Sequence, residues 1–169
     1  MRRTDGLTLA RWLALLVPLA LMAGALGSQY IGHLVPCEMC WWQRYPHLAA
    51  IGVAALAIAV PNRMASTALV VVAALLIATS GGIGIFHAGV EYHWWPGITP
   101  CTAGIKPGQS GLDIIDMIQH GPMVRCDLAQ WTLFNISLAG WNAIVSLSAT
   151  LVIFGLLLFK RGDGNWARG

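Results

Sequence analysis

The chain has 169 residues, enough for one domain of ordinary size. Only 10% of them are charged, against about 25% in ordinary soluble domains, while 57% are hydrophobic and the mean hydropathy is +0.66. The formal charge of +3 sits in small clusters with no basic face, which excludes disorder, a collagen-like repeat, a small secreted disulfide scaffold and nucleic-acid binding, and points to a membrane protein.

A helix needs roughly 20 apolar residues to cross a hydrocarbon layer about 30 Å thick, because lipid offers backbone polar groups no partners. Four stretches free of Asp, Glu, Lys and Arg meet or approach that length. The first, 12–37, predicts a span over 12–33. Arg2, Arg3 and the small residues Ala23-Gly24-Ala25 imitate a cleavable signal. The uncharged stretch, however, exceeds the usual signal core of about 7–15 residues, so a retained anchor is expected.

A short outer segment follows, carrying Pro36-Cys37-Glu38-Met39-Cys40. The second stretch, 45–62, is bracketed by Arg44 and Arg63 and predicts a span over 43–61. Pro46 is harmless only within a helix's first turn, which puts Cys40 at or just before the helix start and Cys37 outside it. The third stretch, 64–90, predicts a span over 65–87, with His87 near its outer end.

A long outer loop over 88–136 comes next, rich in Gly and Pro up to Gly111, and carries Cys101 and Cys126. Loops of that length are usually functional or disordered. Within it Ser110-Gly-Leu-Asp113 reads as a capping box opening a short helix that runs to about His120. Leu112, Ile115 and Ile118 share one face, so this helix is expected to lie at the membrane surface until Gly121-Pro122 ends it. The fourth stretch, 128–159, predicts a span over 137–159. The expected architecture is an all-α integral membrane protein: one domain, a four-transmembrane-helix bundle with a long outer loop carrying a short interfacial helix.

Four spans bring Arg2, Arg3, Arg11, Arg63, Lys160, Arg161 and Arg168 to one side, and the positive-inside rule makes that side cytoplasmic, with both termini. Glu38, Glu91, Asp113, Asp116 and Asp127 fall on the other side. Trp41, Trp42, Trp94, Trp95 and Trp131 lie near outer span ends and Trp12 at an inner one, as interfacial anchors do.

All four cysteines fall on the outer side. Cys37 and Cys40 form a C-x-x-C pair, a poor staple because so small a loop removes little chain entropy, but a good redox couple. The partial positive charge of the helix N-terminus and the nearby Arg44 favour a thiolate there. A zinc site would commonly use two such knuckles, and Cys101 and Cys126 do not make a second, so no metal is assigned. Cys101 and Cys126 suit either a loop staple or a second redox pair. Cys37–Cys40 with Cys101–Cys126 is the simplest pairing, and four cysteines permit two others. Arg44 suits either snorkelling at the interface or stabilising a developing oxyanion. His87 could donate protons. His33, His47, His93 and His120 have no assigned role.

Pro36-Cys37-x-x-Cys40-x-x-x-Arg44, four spans and a second outer cysteine pair together resemble the disulfide bond formation protein B (DsbB) family. The stretch from His87 through His93-Trp-Trp-Pro-Gly-Ile-Thr-Pro-Cys101 resembles that family's third-span exit. Cys126-Asp127 through Trp131 and Ser137-Leu-Ala-Gly-Trp-Asn142 resemble its approach to span four. The resemblance implies a thiol:quinone oxidoreductase of the bacterial inner membrane, with its cysteines on the periplasmic side. Such a protein re-oxidises a periplasmic thioredoxin-like dithiol oxidase (DsbA-like) and passes electrons to ubiquinone, or menaquinone, in the membrane.

By that resemblance Cys101 would form the mixed disulfide with the partner and Cys126 would be its bridge mate. Cys37 would exchange with the loop pair, Cys40 would face the quinone as thiolate and charge-transfer donor, Arg44 would bind and polarise the quinone, and His87 would join that site. The physics fits such a division, because a partner-facing cysteine must be accessible and a lipid-soluble acceptor needs its pair fixed at the bilayer edge. Rival readings are a paralogue serving one dedicated substrate, a non-catalytic metal-binding or assembly protein holding an ion on Cys37 and Cys40, and a structural protein braced by its disulfides. A quinone enzyme like vitamin K epoxide reductase ranks lower, since the C-x-x-C opens span two directly after a short loop.

Overall fold

The computed structural model describes residues 6–102, 110 and 124–159. Among them are four long helices: α1 (Gly6–Tyr30), α2 (Glu38–Ala59), α3 (Arg63–Glu91) and α4 (Leu138–Phe159). Helix α3 packs between α2 and α4, and α1 closes the bundle against those same two helices. The helix expected over 110–120 lies outside the described residues apart from Ser110.

Small side chains make this packing possible. Ala10, Ala14, Ala50, Ala54, Ala57, Ala73 and Ala74 are buried around Val70, Ile77 and Ile153, while Leu16, Leu56, Leu75 and Leu151 point outward. Lipid is as apolar as leucine, so helices in a bilayer associate through close backbone approach rather than by burying large side chains. Helices α1, α3 and the Leu138–Leu158 part of α4 are long and apolar enough to cross a membrane. Helix α2 is not among them, because Glu38, Gln43, Arg44 and His47 crowd its first half.

The helix ends differ from the sequence expectation where capping decides them. Helix α2 starts at Glu38, ahead of Cys40, because the Cys37 sulfur caps it by accepting from the Cys40 N–H. Cys40 therefore lies inside the first turn, and the placement drawn from Pro46 is corrected: the helix runs straight through that proline. A proline this deep denies the Trp42 carbonyl its usual donor, which a membrane helix packed on its neighbours tolerates. Helix α3 starts behind the Asn62 side chain, which accepts from the Ala65 N–H, and runs on to Glu91, a turn beyond His87.

Among the described residues, two short features lie between α3 and α4. A single 3-10 turn covers Pro100–Thr102. Strands β1 (Thr132–Leu133) and β2 (Ile136–Ser137) pair as an antiparallel hairpin, which the all-helical expectation did not contain. Its two-residue turn, Phe134-Asn135, has φ of 51° and 59°, the left-handed backbone that tight hairpins require. The Tyr92 hydroxyl fastens this hairpin to the end of α3, donating to the Asn135 carbonyl and accepting from the Ser137 N–H.

Candidate functional site

The site begins at the cap of α2. Cys37 is buried and Cys40 half-buried, both as free thiols, with their sulfurs 2.9 Å apart. One thiol can donate to the other across that distance, so the pair readily holds a single proton. The Cys37 S–H beside it, and the positive charge of Arg44, hold the Cys40 thiol below its ordinary value against the opposing effect of burial. The same hydrogen bond and its own burial push Cys37 up.

Arg44, one turn beyond Cys40, does not snorkel. It is 6% exposed, and its guanidinium donates to Gln29 Oε1 at 2.6 Å and to the Ala25 carbonyl at 3.2 Å, both in the last turns of α1. The Trp41 ring covers it at 4.9 Å. The cation thus clasps α1 to α2 directly beside the sulfurs.

His87 reaches the pair from α3. Its Nε2 lies 3.6 Å from Cys37 Sγ and 3.6 Å from Glu91 Oε1, one turn on. On its other side Nδ1 accepts from Gln43 Nε2 at 2.8 Å, which leaves the ring proton on Nε2, facing the sulfur. Gln43 Oε1 in turn accepts from Asn142 Nδ2 of α4 at 2.8 Å. Asn142 Oδ1 lies 2.9 Å from His47 Nε2, and Ser80 Oγ, also 2.9 Å from that nitrogen, donates to the Gln43 carbonyl. Three helices thus contribute to one buried polar chain that ends at Cys37. His47 Nδ1 and Glu91 Oε2 are buried and have no hydrogen-bond partner among the described residues.

The second cysteine pair is a disulfide, Cys101–Cys126, and it packs into the same buried cluster as Cys37, Met39 and Val90, with Cys40 and Phe86 at the margin. The ring of His87 also meets the Cys126 carbonyl. The outer segments are held together by Gln130, whose side-chain amide both donates to the Val35 carbonyl and accepts from the Val35 N–H, just ahead of Pro36 and Cys37. Arg125 and Asp127 flank Cys126 as an exposed ion pair, with Asp127 held below the usual carboxylate range by that guanidinium. Cys101, expected to be accessible, is instead only 5% exposed here, closed over by this packing.

Beside the two thiols opens a cavity of about 240 Å³, far more than the roughly 10–15 Å³ one water needs. Its walls are mainly apolar, from Ala20, Leu21 and Ala25 of α1 to Leu138 of α4, and Cys40, Arg44 and His47 reach it from α2. The geometry brings all six residues singled out in the sequence to this end of the bundle. It adds Gln43, His47, Ser80, Glu91 and Asn142, which the sequence reading passed over. Gln43 and His47 had a usable signal: two polar side chains four residues apart, flanking Arg44, in a stretch otherwise fit for lipid, where ionisable groups are costly unless they serve a site.

Comparison with known proteins agrees with this geometry. The chain is 28% identical over 155 residues to a disulfide bond formation protein B of Polaromonas sp. (strain JS666), covering 84% of each chain. It is 33% identical over 153 residues to the disulfide bond formation protein B of Burkholderia pseudomallei (strain K96243), covering 87% of each. An uncharacterized protein of Rickettsia prowazekii is 25% identical over 134 residues, 78% of this chain and 76% of that one. No solved structure matches significantly. The family model described as disulfide bond formation protein DsbB matches residues 8–156, nearly the whole chain, so this membrane protein belongs to the DsbB family.

Proposed function

We propose that the protein is a thiol:quinone oxidoreductase of the bacterial inner membrane that re-oxidises a periplasmic thioredoxin-like dithiol oxidase. In this reading α2 completes four spans, both termini are cytoplasmic and all four cysteines face the periplasm. The observation that carries it is the gathering of both cysteine pairs into one buried cluster beside an apolar-walled cavity that Cys40 and Arg44 share.

The chemistry balances over two exchanges and one oxidation. A reduced partner gives two electrons and two protons to Cys101–Cys126, with Cys101 taking the mixed disulfide and Cys126 leaving as thiolate. The resulting dithiol reduces a Cys37–Cys40 disulfide through attack on Cys37, and Cys40 leaves as the thiolate that Arg44 stabilises. His87, with its proton held on Nε2 by Gln43, is placed to stabilise a departing Cys37 thiolate by donating a hydrogen bond to it.

The residues fit a quinone headgroup: apolar walls for a ring and tail, a fixed guanidinium for a carbonyl oxygen, and an unpartnered His47 Nδ1. A membrane quinone supplies the two-electron, two-proton acceptor that returns Cys37 and Cys40 to the disulfide. Burial of Cys101 means that the partner must first lift the loop segment off the cluster, at the cost of the Gln130 contacts with Val35.

The test is quinone reduction by purified protein in detergent, with a reduced thioredoxin-like oxidase as donor. Cys40→Ser should abolish turnover, while Cys101→Ser blocks the partner step but leaves Cys37 and Cys40 oxidisable by quinone. Normal turnover in Cys40→Ser sinks the reading.

A further inference from the structure

We propose that the reduced Cys37–Cys40 pair and His87 form an inhibitory binding site for a thiophilic divalent cation of the Zn²⁺ type. The proposal rests on the thiol form that the oxidoreductase reading requires between turnovers, and goes beyond it by adding a ligand that arrests that form.

Among the described residues Cys37 Sγ, Cys40 Sγ and His87 Nε2 all lie within 4.8 Å of one another. Zinc bonds of about 2.3 Å to sulfur and about 2.0 Å to nitrogen, at tetrahedral angles, give edges of about 3.5 Å for S···N and 3.8 Å for S···S. The Cys37–His87 separation, 3.6 Å, already matches the first. The sulfurs, at 2.9 Å, must part by about 0.9 Å, a small side-chain rotation of Cys40.

Glu91 stands beside the cluster, 8% exposed, with its Oε1 3.6 Å from His87 Nε2. A buried carboxylate is costly without a countercharge, and a cation held by the three ligands would supply one. Thiolates select borderline-soft ions over Mg²⁺ and Ca²⁺. Metal on Nε2 moves the imidazole proton to Nδ1, and a half-turn of the Gln43 amide, matched by one of Asn142, then offers Gln43 Oε1 to that N–H, the usual support of a ligating histidine. The sequence hid this set because its third ligand comes from another helix, 50 residues from Cys37.

An ion here ties both sulfurs as thiolates, so neither can attack a disulfide nor be oxidised to one. Lower pH weakens it, since protons compete for the same sulfurs and imidazole. The disulfide form has no thiolates to offer and should ignore the metal.

The test uses the full chain in detergent, with Co²⁺ as a visible probe and Zn²⁺ as competitor, without donor or quinone. Wild type and Cys101→Ser/Cys126→Ser, both reduced, should take up one Co²⁺ per chain with a thiolate-to-cobalt absorption band that Zn²⁺ abolishes. Cys40→Ser should lose the band, and His87→Ala and His87→Gln should each weaken binding at least tenfold. No band in the reduced protein, or affinity unchanged in both His87 variants, overturns the proposal. Because turnover is not read, failure here leaves the electron-transfer reading standing, and failure of turnover leaves the metal site standing.

Discussion

Arg44 is a cation placed where a bilayer would ordinarily expel it, and its three neighbours explain why it stays. Gln29 Oε1 and the Ala25 carbonyl take its protons and the Trp41 ring covers its face, so the charge is offset without water. What remains is a field on Cys40 one turn away, acting in the same direction as the Cys37 S–H. In the reduced Cys101→Ser/Cys126→Ser protein, thiolate absorbance should therefore show one sulfur ionised below the ordinary thiol range and the other protonated well above it. Arg44→Ala should move the first titration upward. In wild type it should raise the apparent KM for quinone about ten- to a hundredfold, the worth of a charge-assisted hydrogen bond of about 1.5–3 kcal/mol. Lysine should not rescue, because one ammonium cannot reproduce the fork that reaches both Gln29 and Ala25. Two thiols titrating together, unmoved by Arg44→Ala, would remove Arg44 from the redox site.

Helix α3 approaches α4 closely at Gly84, where an added Cβ would sit 2.9 Å from the Ala139 carbonyl oxygen and 3.1 Å from the Ala143 nitrogen. Both are backbone atoms of α4, so the helices themselves must part. Asn142, on the same face, would then be drawn from Gln43 and Ser80. Gly84→Ala should cost about 1–3 kcal/mol, the usual penalty of overpacking, and lower the apparent Tm in detergent. Gly82→Ala, two residues away with nothing within 4 Å, should leave Tm unchanged or raised. Equal effects at the two glycines would contradict the packing. This level of structure was partly legible in the sequence. Uncharged runs located α1, α3 and α4 because lipid imposes length and composition directly. The start of α2 was missed, since a cysteine sulfur acting as N-cap has no sequence signature and Pro46 argued against a helix that packing on α1 and α3 nevertheless stabilises. The hairpin was missed because Phe134-Asn135 is not among the dipeptides that announce such turns. At the site the four cysteines, Arg44 and His87 stood out by residue type, whereas Gln43, Ser80, Asn142 and Glu91 gained meaning only when three helices converged.

Across the whole molecule the two ends of the bundle differ in kind. At one end lie all four cysteines, the cavity and the buried polar chain. At the other, Arg11 of α1 donates to Ser66 Oγ of α3, which donates to the Ala57 carbonyl of α2, a small clasp beside Arg63. Seven of the ten basic residues belong to that second end by sequence, counting those near both termini. Charge of this sign resists translocation, so the clasp end should be cytoplasmic and the redox end periplasmic, where no glutathione pool reduces Cys101–Cys126. The argument depends on α2 crossing the membrane despite its polar first half. Arg44 and His47 are satisfied inside the bundle rather than by lipid, which removes most of the cost that hydropathy alone would assign. Four crossings require that a green fluorescent protein fused to the C-terminus fluoresce, since it folds in the cytoplasm, and that alkaline phosphatase fused there be inactive. A second phosphatase fusion, after Gly97, should be active. If α2 instead lay along the surface, the chain would cross three times, and Gly97 and the C-terminus would both exchange sides relative to the N-terminus. The C-terminal phosphatase would then be active and the Gly97 fusion inactive, so an active C-terminal phosphatase would reject the four-span arrangement.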